Sequence, residues 1–128
     1  MRVFTNGCFD ILHRGHIELL TYCASLGKVI VGLNSDESVK RLKGENRPIN
    51  SVSDRKKMLE ALRAVDEVIV FEEDTPYNLI RIISPDLIVK GGDYISNEVI
   101  GSDLCEVQIF KTIDGYSTTG YINRILSQ

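Results

Sequence analysis

Residues 13 to 16, His-Arg-Gly-His, hold both histidines of the 128-residue chain. Imidazoles three positions apart at the start of a helix can turn toward one point and donate hydrogen bonds there. The backbone N–H groups and dipole of a helix N-terminus draw anions to the same place. Gly15, between the two, leaves room for a phosphate to approach the backbone. Phosphoryl chemistry fits these properties. A His-x-x-His pair joined by Cys8 would also suit a metal, though no fourth ligand is obvious, and two imidazoles at a helix start can simply be surface residues.

Three further stretches carry polar groups that could act together. In "DGYSTTG", residues 114 to 120, Ser117, Thr118 and Thr119 are good helix N-caps, and three hydroxyls at a helix start also suit a phosphate. In "VKGGDY", residues 89 to 94, Gly91 and Gly92 permit a tight turn that would raise Asp93 and Tyr94 on a loop, and a plain turn explains the stretch equally well. Between Lys40 and Lys57 lie seven of the chain's 15 Lys and Arg, leaving eight positive and 16 negative charges elsewhere. Such a cationic stretch in a chain of net charge −3 suits a small polyanion better than a nucleic acid. Lys43, near the end of a helix and before a loop, and Arg55, at the start of the next helix, are its functional candidates.

The elements that must position these residues alternate. "RVFTN", "KVIVGLN", "DEVIVF", "PDLIVK" and "EVQIF" are short apolar runs rich in β-branched residues, as strands covered on both faces are. Ile17, Leu20, Cys23 and Ala24 recur at helical spacing between the first two runs, with Gly27 placed to end that helix. Helices are expected over residues 35–42, 51–63, 76–83 and 118–126. Strict alternation predicts an α/β fold: one Rossmann-like, doubly wound domain with a five-stranded parallel sheet. In such sheets ligands bind beyond the carboxyl ends of the strands, where the strand order reverses. "TNGCFDILHRGH", after the first strand, should line that crevice. Neither a G-x-x-x-x-G-K-[ST] loop nor a G-x-G-x-x-G after the first strand is present, so a nucleotide would have its phosphates held another way.

Composition sets the remaining bounds. Apolar residues at 43% and charged residues at 26% are ordinary for a globular domain. No apolar run approaches the ~20 residues that span a bilayer, and the N-terminus does not read as a signal peptide, so no membrane role and a cytoplasmic location are expected. Three cysteines, Cys8, Cys23 and Cys105, are too few and too scattered for a disulfide framework and read as small, inert hydrophobes.

Together, "TNGCFDILHRGH", "GYSTT" and the five-strand alternation resemble the cytidylyltransferase-like nucleotidyltransferases, with their H-x-G-H signature. More narrowly, "LNSDESVKRLKGENRPIN", "AVDEVIVFEEDTP" and "PDLIVKGGDY" are similar to the adenylyltransferase domain of the bifunctional heptose kinase/adenylyltransferases, over nearly the whole chain. Glycerol-3-phosphate cytidylyltransferase is a more distant relative. The resemblance implies adenylyl transfer from ATP to D-glycero-D-manno-heptose 1-phosphate, giving ADP-heptose for lipopolysaccharide or surface-glycan synthesis, with CTP and glycerol 3-phosphate as the alternative pair. It implies that His13 and His16 donate to the phosphoryl oxygens and that Lys43 closes over them. Arg55, Ser117, Thr118 and Thr119 would hold the β and γ phosphates, and Thr5, Asn6 and Gly7 would lie near the α-phosphate. Gly91, Asp93 and Tyr94 would meet the ribose and base, and Asp10 the incoming sugar phosphate or its hydroxyls. Mg²⁺ would accompany the ATP, held largely by its phosphates, and a homodimer is expected.

Overall fold

A computed structural model of the chain describes residues 1–112 and 115–128. Five strands form one parallel sheet: β1 (Arg2–Gly7), β2 (Lys28–Asn34), β3 (Glu67–Phe71), β4 (Leu87–Gly91) and β5 (Glu106–Phe110), in the order β3-β2-β1-β4-β5. The chain steps from β1 outward to β3, then returns to the other side of β1 for β4 and β5. The reversal therefore falls between β1 and β4, with Val3 opposite Leu87 and Phe4 opposite Ile88. Each expected strand is present, at nearly its expected bounds.

Five helices connect or follow the strands: α1 (Arg14–Leu26), α2 (Asp36–Lys43), α3 (Val52–Glu60), α4 (Tyr77–Ile83) and α5 (Thr118–Leu126). Serine hydroxyls cap three of them. Ser35, Ser51 and Ser117 accept from the backbone N–H groups of Ser38, Asp54 and Gly120 respectively, each bond satisfying a donor the helix leaves open. The third helix stops at Glu60 rather than Arg63, because the chain tightens into turns there: the N–H of Leu62 bonds the carbonyl of Leu59 and that of Val65 the carbonyl of Leu62. Leu62 still packs against the core, so its apolar side chain was a sound sign of burial but not of helix.

Strand alternation divides the core. Val3, Val29, Val31 and Val89 face Leu20 and Cys23 of α1 and Leu59 of α3, while Phe4, Ile30 and Ile88 face Ile80 and Ile83 of α4. Full burial of such side chains stabilises the fold by about 1.5–3 kcal/mol each. Gly32 belongs to this packing: a Cβ there would stand 2.6 Å from Cζ of Phe4, which is completely buried on the neighbouring strand. Burial also pushes the thiols of Cys8, Cys23 and Cys105 upward, Cys23 to about 12, and all three are free. No helix among the described residues is long and apolar enough to cross a membrane.

Candidate active site

A crevice of about 740 Å³ opens at the carboxyl ends of β1, β2 and β4, over the point where strand order reverses. That volume is in the range of small-ligand sites. His13, Gly15, His16 and Lys43 line it, as do Ser117, Thr118 and Thr119. Asn6, Gly7, Asp10, Gly91 and Tyr94 complete the expected set that reaches the crevice. Residues distant in sequence are thus brought to one place.

The two imidazoles are fixed by the backbone that carries them. His13 is the N-cap of α1, and its Nδ1 accepts from the N–H of Gly15 at 3.1 Å. His16 reaches back, its Nδ1 accepting from the N–H of His13 at 3.3 Å. This is a reciprocal capping box built from imidazoles. A neutral imidazole that accepts at Nδ1 carries its proton on Nε2. Burial lowers the pKa of His13, and burial followed by the neighbouring His13 pushes His16 down to about 4. Near neutral pH both side chains are therefore uncharged Nε2–H donors beside the crevice.

Packing holds the rings further. Their centroids are 3.8 Å apart and stacked, with Phe9 against His16 at 5.1 Å and Tyr121 of α5 against His13 at 5.7 Å. Gly15 has a role the sequence did not suggest. A Cβ on it would lie 2.9 Å from Cε1 of His13, so the missing side chain makes room for the imidazole. The "STT" stretch meets the histidine loop directly: Ser117 caps α5, and Thr118 Oγ1 donates to the carbonyl of Ile11 at 3.2 Å. The first residue of "DGYSTTG", Asp114, lies outside the described residues.

Three expected site residues are placed elsewhere. Arg55 is fully buried beneath the crevice rather than at its surface. Its guanidinium donates to the carbonyls of Asn50, Cys8 and Asn34 at 3.0, 2.8 and 2.9 Å and pairs with Asp36 at 2.8 Å. It ties together the ends of β1 and β2 and the starts of α2 and α3, leaving it no reach to β or γ phosphates. Thr5 also misses the crevice: strand alternation turns it with Val3 into the core, where its hydroxyl is buried without a hydrogen-bond partner among the described residues. Asp93 stands exposed on the loop after β4, outside the crevice lining.

Asp10 lines the crevice, but its carboxylate is already engaged. It accepts from the backbone N–H groups of Ile49 and Asn50, both at 2.8 Å, and from Nε of Arg47 at 3.2 Å. Asn50 Nδ2 donates in turn to the Asp10 carbonyl at 2.7 Å. A nearly completely buried carboxylate with these partners anchors the loop that follows Lys43; it offers no free oxygens to a sugar phosphate. Most of the basic stretch is similarly committed, with Arg41 paired to Asp74, Lys40 to Glu37 and Lys56 to Glu60. Lys43, exposed at the end of α2, keeps its ammonium for the crevice.

One residue of the site escaped sequence reasoning. Lys90, at the end of β4, lines the crevice with its ammonium 5.3 Å from the centre of the Tyr94 ring. Burial lowers its pKa, with Lys43 adding to the effect and Cys8 opposing it.

The cytidylyltransferase-like family matches residues 4–123. The chain belongs to that family. This cytidylyltransferase-like domain is a nucleotidyltransferase, and it is similar to proteins named "Bifunctional protein HldE": 58% identical over 127 residues to that of Nitratiruptor, covering 98% of this chain and 28% of the relative. To the protein of the same name from Wolinella succinogenes it is 58% identical over 125 residues, covering 96% and 26%. The cytidylyltransferase-like domain thus spans about a quarter of the length of the curated relatives it matches. Among solved structures, the lipopolysaccharide core biosynthesis protein of Thermoplasma volcanium superposes with a TM-score of 0.74 at 29% identity, over 91% of this chain and 98% of the other.

Proposed function

We propose that this domain transfers the adenylyl group of ATP to D-glycero-D-manno-heptose 1-phosphate, giving ADP-heptose and pyrophosphate. One observation carries the reaction class: two neutral Nε2–H donors, locked by a reciprocal cap, beside the N-terminus of α5 in a crevice at the reversal of strand order. The names of the relatives, "HldE" and "lipopolysaccharide core biosynthesis protein", agree with that reading, and the choice of heptose and ATP rests on the sequence resemblance.

An oxygen of the sugar phosphate attacks the α-phosphorus of ATP, a new P–O bond forms, and the bond to the bridging oxygen breaks with its electron pair leaving on pyrophosphate. Negative charge builds on the α-phosphoryl and leaving oxygens, and fixed donors aimed there act without reorganising during the step. His13 and His16 donate to these oxygens. The N-terminus of α5, with Thr118 and Thr119, receives the outer phosphates. Magnesium would accompany the ATP as part of the substrate MgATP and would offset negative charge on its phosphates. The imidazoles keep their protons, and no intermediate forms on the protein.

A cytoplasmic location and a homodimer belong to the same proposal, the second to be checked by light scattering. The reaction is tested by incubating the protein with MgATP and the heptose phosphate and analysing the products by mass spectrometry. ADP-heptose formed in step with pyrophosphate supports the proposal, and ADP or AMP without a nucleotide sugar opposes it.

A further inference from the structure

With Asp10 committed to the loop, the acceptor's phosphate needs another partner, and the crevice holds an unused one. Strand alternation places Lys90 on the same face as Ile88, which packs with Phe4 and Ile80 of α4. Val89 faces the opposite way, toward α1, the helix of the two histidines. The imidazoles and Lys90 therefore enter the crevice from opposite faces of the sheet. Lys90 is half-buried, lines the crevice together with Cys8, Lys43 and Tyr94, and holds its ammonium 5.3 Å from the Tyr94 ring centre; among the described residues it has no carboxylate partner and makes no hydrogen bond.

A partly buried cation near a second cation, with no anion among the described residues paired to either, is unfavourable unless a ligand supplies the charge. His13 and His16 provide hydrogen bonds but no charge. Bringing two phosphates to reacting distance needs positive charge on the side from which the second arrives. In-line attack puts that side opposite the pyrophosphate.

We propose that Lys90, together with Lys43, forms the binding site for the phosphate of the acceptor, across the crevice from the imidazoles. This deepens the reading of the domain as a nucleotidyltransferase acting on a phosphorylated sugar and rests on it. The ammonium of Lys90 holds the acceptor's non-bridging oxygens while a third oxygen attacks the α-phosphorus. Tyr94 keeps the ammonium in place through its ring face.

The test compares wild type with Lys90→Met and Lys90→Arg, by calorimetric binding of MgATP and by pyrophosphate release at saturating MgATP with the acceptor varied. Lys90→Met is expected to leave MgATP affinity within about threefold and to lower kcat/KM for the heptose phosphate about 100-fold, as loss of one partner of a desolvated charge pair does. Lys90→Arg, which keeps the charge, is expected to recover most of that loss. Unchanged kcat/KM in Lys90→Met overturns the inference, and so does MgATP affinity that collapses with it, which would assign Lys90 to the triphosphate. Glycerol 3-phosphate is run in parallel. If wild type accepts it in place of the heptose phosphate, the heptose reading fails while the same comparison still decides Lys90. Release with neither acceptor in wild type overturns both.

Discussion

The imidazoles of His13 and His16 stack 3.8 Å apart, and each commits its Nδ1 to a backbone N–H at the start of α1. The cap and the chemistry therefore use opposite nitrogens of the same rings, and substitution can separate them. Asparagine is a good N-cap but lacks a donor where Nε2 stands. His13→Asn is expected to change stability by less than about 0.5 kcal/mol, against a loss of about 1 kcal/mol for His13→Ala. Both should lower kcat by about 100- to 1000-fold, the usual effect of removing one preorganised donor. Urea denaturation and pyrophosphate release check the two halves.

The neutral state of His16 carries a pH dependence. Its pKa is about 4 in the folded chain and 6.5 when unperturbed. Because the folded value is the lower, the unfolded chain binds the extra proton between the two, and stability rises with pH across that window. This contribution is fully present above about pH 6.5 and is lost as pH falls toward 4, by roughly 3 kcal/mol at most. Unfolding free energies at pH 7.5 and pH 5 should differ more in wild type than in His16→Gln. Activity should show no loss from protonation of His16 at pH 6.

Arg55 distinguishes a keystone from a phosphate ligand. Its fork satisfies three carbonyls and one carboxylate in full burial, a geometry that an ammonium cannot reproduce. Arg55→Ala is expected to destabilise the fold by about 3–5 kcal/mol, since it removes a fully buried guanidinium and leaves the three carbonyls it served without their partner. A thermal melt reads this directly. A variant that melted normally while raising KM for ATP would instead return Arg55 to the triphosphate.

Gly15→Ala should act through a ring it does not carry. In a helix, alanine is favoured over glycine by about 1 kcal/mol, which offsets much of the strain from a Cβ 2.9 Å from the His13 ring. The melting temperature is expected to change little while kcat falls at least about tenfold, the response to a displaced catalytic donor. Steady-state kinetics alongside a melt will show whether the two separate.

The sequence revealed the fold and the two motifs because alternation and helix starts leave local signatures. The strands read as apolar runs, and "HRGH" and "STT" sit where helices begin. What it could not reveal is how long polar side chains divide between ligand and protein. Arg55 and Asp10 carry the groups a phosphate site or a sugar site would use, and only tertiary structure turns them inward, against carbonyls from β1 and β2 and against the N–H groups of residues 49 and 50. Thr5 was within reach of pattern reasoning: alternation with Val3 assigns it to the core. Lys90 left a signal too, since a lysine closing the apolar run "PDLIVK" beside the reversal of strand order points at the crevice.

The most direct test of the account is pyrophosphate release in the presence of Mg²⁺, with ATP and CTP each paired with D-glycero-D-manno-heptose 1-phosphate and with glycerol 3-phosphate. The account predicts release from ATP with the heptose phosphate, little from the other three pairings, and loss of that release in His16→Ala. Release from CTP with glycerol 3-phosphate, or release that survives in His16→Ala, would contradict it.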